Sequence, residues 1–161
     1  MSEIIFGGTM LNTLTVSFFG HRYIDNVFEV EDRVEGLLNE LMRNNEYVEI
    51  LVGRNGEFDL LVAAIANKLK KRSKRENLSI VWVQPYPQAE YIKNADNFDE
   101  YYDSVEICEE SLKGHFKSAI QTRNRKMIER SDLVVCYVRK KGGAYLSRQY
   151  AEVMEKTIID I

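Results

Sequence analysis

Asp132–Val138 reads DLVVCYV, apolar at every position after the first. A strand with one wet face alternates apolar and polar residues, whereas an unbroken run of this kind is covered on both faces, as in parallel sheets packed between helices. Thr13–Phe19 (TLTVSFF), Tyr47–Val52 (YVEILV) and Leu78–Val83 (LSIVWV) share its β-branched and aromatic character. Ser104–Cys108 and Thr157–Ile161 are shorter candidates. Between these runs the period changes. Val30, Val34, Leu37, Leu38 and Leu41 lie on one helical stripe within Glu29–Arg43, and Phe58, Leu61, Val62, Ile65, Ala66 and Leu69 form a second. Lys117–Arg130 and Tyr145–Lys156 complete the predicted helices. Strands alternating with helices predict a single α/β domain of Rossmann-like, three-layer type with a mostly parallel sheet and right-handed crossovers.

Two segments fall outside that alternation. Residues 1–12 read as a lead-in. Residues 84–104 hold Pro85, Pro87 and the aromatics Tyr86, Tyr91, Phe98, Tyr101 and Tyr102 without a sustained period, so they are expected to form a lid-like loop. Its rings would either stack on a base or bury a dimer interface, and the two readings stand level.

At 161 residues the chain is long enough to bury a core without disulfide or metal staples. A net charge of −3 argues against nucleic acid as a partner, since phosphate backbones are met by basic stripes. The cations from Lys68 to Arg75 (Lys68, Lys70, Lys71, Arg72, Lys74, Arg75) close a predicted helix, where they complement its negative end. Cys108 and Cys136 sit in apolar runs without a CxxC or Cys/His spacing and are expected to be buried, reduced thiols. No apolar run reaches the length of a membrane span, and the first thirty residues lack the pattern of a cleaved signal. A cytoplasmic location and no membrane partner are therefore expected.

Open parallel sheets bind ligands beyond the carboxyl ends of their strands, near the point where strand order reverses. Glycine and polar residues concentrate there: Gly20-His21-Arg22, Gly53-Arg54-Asn55-Gly56-Glu57-Phe58-Asp59, Arg123-Asn124 with Ser131-Asp132, and Gly142-Gly143-Ala144-Tyr145. Glycine lets a backbone approach closely and helix amino ends present free N–H groups, so the Gly53/Gly56 and Gly142/Gly143 turns are each candidates to cradle a phosphate. Arg22 and Arg123 supply forked donors suited to oxyanions. His21 is read either as a ligand donor or acid–base group, or as a tie within the loop backbone. Asp59 is read either as a carboxylate complementing a helix dipole or as a ribose contact. Asp132 would cap the preceding helix or orient Arg123. His115 has no metal-ligand spacing, so no metal and no cofactor beyond a nucleotide-type ligand are expected. Ser17, Ser131 and Cys136 lack a nucleophile elbow.

The order Gly20-His21-Arg22, Gly53…Gly56-x-x-Asp59, Pro85-Tyr86-Pro87, Arg123-Asn124-x-x-Met127-x-x-x-Ser131-Asp132 and Gly142-Gly143 before Tyr150-Ala151 resembles the YpsA-like branch of the SLOG superfamily, over roughly residues 13 to 161. That resemblance implies a Rossmann-like fold and a nucleotide-type ligand, in a superfamily that includes nucleotide sensors, DNA-processing proteins and LOG-type phosphoribohydrolases. It implies a pocket lined by Gly20, His21, Arg22, Gly53, Gly56, Asp59, Arg123, Ser131, Gly142 and Gly143. The hydrolase branch carries Pro-Gly-Gly-x-Gly-Thr-x-x-Glu where this chain reads Lys141-Gly142-Gly143-Ala144-Tyr145-Leu146-Ser147-Arg148. Arg148 stands in place of the catalytic glutamate. An arginine cannot serve as a carboxylate base, which leaves Glu152, one helical turn later, as the substitute.

Three functions are weighed. The first is a module that binds or senses a nucleotide or a nucleotide-derived phosphorylated molecule. The second is a nucleoside-monophosphate N-glycosidase, with His21, Glu57, Asp59 or Glu152 as acid–base candidates. The third is an interaction protein with a vestigial pocket. A homo-oligomer, with a dimer as the expected form, is also expected.

Overall fold

The computed structural model describes residues 2–6 and 9–161, with side chains described from residue 11 onward. Its elements follow the predicted alternation. In order they are β1 (Ser2–Phe6), β2 (Thr9–Gly20), α1 (Val27–Asn44), β3 (Tyr47–Val52), α2 (Glu57–Arg72), β4 (Leu78–Gln84), α3 (Ala89–Lys93) and α4 (Ala95–Tyr101). There follow β5 (Ser104–Ile107), α5 (Glu109–Lys113), a 3₁₀ turn at Phe116–Ser118, α6 (Ala119–Glu129), β6 (Leu133–Tyr137), α7 (Gly143–Val153) and β7 (Thr157–Asp160). Six strands run parallel in the order β5-β4-β3-β2-β6-β7, and β1 pairs antiparallel with the start of β2. No helix of the described residues is long and apolar enough to cross a membrane.

The sheet is buried on both faces because the alternate residues of its central strands serve two cores. Val16, Phe18, Ile50, Ile80, Trp82 and Val135 pack beneath α1 and α2, whose buried stripes are Val30, Val34, Leu38 and Met42, and Phe58, Val62, Ile65, Ala66 and Leu69. Phe19, Leu51, Val81, Val83, Val134 and Cys136 point the other way, against Met127 and Ile128 of α6 and Ala151 of α7. This is the Rossmann-like three-layer arrangement expected of DLVVCYV and its neighbours. Both cysteines are free and buried, and burial pushes the Cys136 thiol up to about 12, so it stays protonated and inert.

Two expectations are corrected. Within the lead-in at 1–12, Ser2–Phe6 forms β1 and residues 9–12 open β2, paired in register Ser2↔Thr13 to Phe6↔Thr9. Gly7-Gly8 separates the two runs in sequence, the two-residue hairpin signal that the sequence analysis passed over. The lid-like loop at 84–104 is replaced by two short helices fastened to the core. Trp82, fully buried, packs edge-on against Tyr91 and Phe98 (centroids 5.7 and 5.2 Å) and tilted against Tyr102 at 5.4 Å. Those rings therefore cover the sheet, and burying their area against an indole outweighs leaving them in solvent for a ligand.

Candidate functional site

The chain steps outward from β2 to β5 and then returns to the other side of β2, so strand order reverses where β2 lies between β3 and β6. At the carboxyl ends of β2 and β3, beside that reversal, lies a cavity of about 110 Å³. Gly20 reaches it from β2, Gly53 and Asn55 from the β3–α2 turn, Asp59 from the first turn of α2, Arg123 and Asn124 from α6, and Gly143 and Ala144 from α7. Ligand pockets for drug-sized molecules run to about 300–1,000 Å³. This one has room for a small group only.

Arg123 organises the site. It is 2% exposed, and its guanidinium donates in three directions: Nε to Asn124 Oδ1 at 2.8 Å, Nη1 to the Val83 carbonyl at 2.6 Å and Nη2 to Asn55 Oδ1 at 2.7 Å. Asn124 continues the chain through Nδ2 to Ser147 Oγ at 3.2 Å, and Ser147 donates to the Gly143 carbonyl at 3.1 Å. One network thus joins β4, the β3–α2 turn, α6 and the first turn of α7. Burial pushes the Arg123 guanidinium below its ordinary range, against the pull of Asp59. Burial also raises the Asp59 carboxyl, opposed by the Asn55 N–H that donates to its Oδ2 at 3.0 Å and by Arg123. Among the described residues no carboxylate oxygen comes within 4.0 Å of Arg123. Arg123 is thus a buried cation whose hydrogen-bonded partners are all neutral acceptors.

The glycines divide into two kinds. A Cβ on Gly20 would meet the Phe58 ring at 2.2 Å, one on Gly53 the Arg123 guanidinium at 2.9 Å, and one on Gly56 the Arg22 Cα at 2.5 Å. These three make room for protein atoms, so the Gly53/Gly56 turn is filled rather than open to a phosphate. The amino end of α2 is closed as well, with Glu57 N donating to the Arg22 carbonyl at 2.9 Å and Glu57 Oε2 accepting from Ile24 N at 2.8 Å. Gly142 is the other kind. Its φ of +157° belongs to glycine, a Cβ there would meet nothing within 4 Å, and α7 starts without a side-chain cap. The N–H groups of Gly143, Ala144 and Tyr145 lack an intrahelical acceptor, as first-turn groups do. Gly142 leaves the Gly142/Gly143 turn open on its side, whereas a Cβ on Gly143 would press on Gln121 Nε2 at 3.3 Å.

His21 takes the structural role. Its Nε2 accepts from the backbone N–H of Arg139 at 2.7 Å and of Lys140 at 3.3 Å, tying the loop after β2 to the loop after β6. Its ring sits edge-on to Tyr137 at 5.7 Å, and Tyr137 stacks on Phe58 at 5.7 Å. Burial, then Lys140 and Arg139, lower its basicity, consistent with an acceptor that must stay neutral. A histidine depressed on folding stabilises the fold fully above about pH 6.5, the unfolded value, and loses that contribution as pH falls through its folded value. Unfolding free energy measured from pH 7.5 to 5 should therefore fall with pH in the wild type, with a flatter slope in His21→Gln. Equal slopes would remove His21 as the cause.

Other sequence candidates lie elsewhere. Ser131 precedes β6, at the amino edge of the sheet, about 20 Å along the strand from Tyr137 at the carboxyl edge. It is buried against Ser17 Oγ and donates to the Met127 carbonyl at 2.7 Å, so it lines no pocket with Gly20. Asp132 neither caps α6 nor reaches Arg123; it receives Thr15 N at 2.9 Å and returns its own N–H to the Thr15 carbonyl. Arg54 turns away from the cavity, over Phe98 at 4.9 Å, and donates to the Tyr102 hydroxyl at 3.1 Å. Glu152 lies outside the cavity and pairs with Arg148, which also grips Asp160 of β7 through two 2.8 Å bonds. Arg148 thus clamps the last helix to the edge strand. Arg22 is exposed beside the site, its guanidinium without a partner among the described residues.

The sequence reading missed Arg139-Lys140-Lys141, three exposed cations between β6 and the open glycine turn. Their signal was present: consecutive cations directly after a strand and before Gly-Gly. His115, far from any metal cluster, accepts Lys117 N through Nδ1 at 3.2 Å and shapes the 3₁₀ turn. No group of three or more His, Cys, Asp or Glu among the described residues is placed to hold a metal ion. No family model and no curated protein matches the chain.

Proposed function

We propose that the chain binds a nucleotide or nucleotide-derived phosphorylated small molecule, its anionic group held at the open Gly142–Ala144 turn with Arg123 as the buried countercharge. The observation that carries this reading is Arg123 itself, a 2%-exposed guanidinium lining a cavity with no carboxylate in contact. Arg139, Lys140 and Lys141 add local positive charge to a chain that is negative overall, which raises the local concentration of anions. The motif order that resembles the YpsA-like branch of the SLOG superfamily supports the same class of ligand.

The enzymatic reading rests on one residue. Of the four acid–base candidates only Asp59 lines the cavity, and its carboxyl is raised by burial, as a general acid or base requires. A thermal-shift panel of nucleoside mono- and diphosphates separates the readings. A ligand present at about 100 times its Kd adds about 2.7 kcal/mol of stability. The expected result is a shift in the wild type that is absent in Gly143→Asp, with the nucleotide recovered intact. Release of free base, abolished in Asp59→Asn while binding persists, would replace the sensor with a hydrolase. No shift with any member of the panel would sink both.

A further inference from the structure

Of the five loop aromatics read either as base contacts or as a dimer interface, the structure leaves one at the carboxyl edge and gives it an unexpected companion. Tyr91, Phe98 and Tyr102 are spent on Trp82, and Tyr101 packs edge-on against Tyr102 at 5.0 Å. Tyr86, just beyond β4, instead packs against Phe116 of the 3₁₀ turn, with centroids 4.8 Å apart and planes tilted by 36°. Phe116 is 69% exposed, so the face turned from Tyr86 meets water.

Both rings are held in place. Ser111 Oγ, buried, bonds the Pro85 carbonyl next to Tyr86, and lies 2.7 Å from the Cys108 carbonyl. The turn bearing Phe116 is closed by Ser118 N to the His115 carbonyl at 2.9 Å, Ser118 Oγ to the same carbonyl at 2.8 Å, and Lys117 N to His115 Nδ1. Both rings are carried by segments that border the cavity. Val83, three residues before Tyr86, accepts from Arg123 Nη1, and Tyr86 is near enough to act on the charge of Arg123. Phe116 lies four residues before the cavity-lining Ile120, across the junction of the 3₁₀ turn with α6. A solvent-facing aromatic ring on the segment that leads into the cavity-lining turn of α6 is placed to meet the part of a ligand that extends beyond the anion site.

We infer that Phe116, backed by Tyr86, is the platform on which the planar base of the ligand stacks, so the site takes aromatic-ring phosphates and discriminates against sugar phosphates. This deepens the nucleotide reading above and rests on it. The platform offers a π face and no edge-reading donors, so purines and pyrimidines are both accepted, the larger ring with more stacking area.

The test is titration calorimetry with AMP, CMP and ribose 5-phosphate on wild type, Phe116→Ala and Phe116→Trp, each checked for an unchanged melting midpoint. Phe116 is exposed, so these variants are expected to fold. AMP should bind the wild type about 5- to 100-fold more tightly than ribose 5-phosphate, a ratio lost in Phe116→Ala and kept or increased in Phe116→Trp. Ribose 5-phosphate affinity should be unchanged by either substitution. If AMP binds all three proteins equally, the platform is overturned while the nucleotide reading stands. If ribose 5-phosphate binds and AMP gains nothing over it in the wild type, the ligand class is overturned. If none of the three probes binds, the nucleotide reading falls and the platform with it.

Discussion

Arg123→Met should lower stability by about 3–5 kcal/mol, measured by urea unfolding at neutral pH, and abolish anion binding at the site. The substitution keeps much of the buried volume but removes the donors to the Val83 carbonyl, Asn55 Oδ1 and Asn124 Oδ1 together. Each buried acceptor left unpaired costs about 1–3 kcal/mol, and removing one charge from a buried set typically costs 3–5 kcal/mol. Relaxation and water entry keep the sum below simple addition. Asp59 would also lose the guanidinium that favours its ionised form, pushing its carboxyl higher still. Arg123→Lys is the informative companion. A lysine restores the charge but cannot donate along three fixed directions in one plane, so it should recover only part of the stability. A loss under about 1 kcal/mol in Arg123→Met would mean that the network is not what joins α6 to the carboxyl edge.

Trp82→Ala should cost a similar amount, about 3–5 kcal/mol, the range for truncating a large buried aromatic. Its second consequence is local. The indole is the common surface for Tyr91, Phe98 and Tyr102, and Arg54 lies over the ring at 5.8 Å. With the indole gone, α3 and α4 lose most of what holds them, since helices of 5 and 7 residues have no stability of their own. Limited proteolysis under native conditions should then cut between residues 86 and 101 in the variant before the rest of the domain is touched. Uniform digestion, with no early cut in that segment, would show that α3 and α4 are held by something other than Trp82.

The strands were legible because burial on two faces leaves a mark that one residue cannot blur: DLVVCYV and LSIVWV are apolar on both parities, and TLTVSFF fills its second parity with Thr13, Thr15, Ser17 and Phe19. The helices α1, α2, α6 and α7 were legible because 11 to 18 residues give several turns of a stripe. α3 and α4 were not, because 5 and 7 residues are too few to show a period. Their aromatics looked available to a base or a dimer partner because the indole that claims them, Trp82, lies in another element.

At the site, residue type was readable and direction was not. Arg123, Asp59, Gly20, Gly53 and Gly143 do converge on one cavity. Whether a glycine opens space for a ligand or yields it to a neighbouring ring, as Gly20 does to Phe58, depends on atoms contributed from 38 residues away. Ser131 could have been excluded from the sequence alone. A residue that precedes a parallel strand lies at the amino edge, and the ligand edge is the other one.

The central position of β2 has a consequence for synthesis. It is the first of the parallel strands to leave the ribosome, but the partner on one of its flanks is β6, and the bond from Thr15 N to Asp132 spans 117 residues. At about 5–20 residues per second, roughly 6 to 23 s pass between the emergence of one strand and the other. Throughout that interval the nascent chain carries an apolar strand with an unmatched hydrogen-bonding rim. Binding by a chaperone should therefore concentrate on chains stalled before residue 133 and fall once β6 has cleared the exit tunnel.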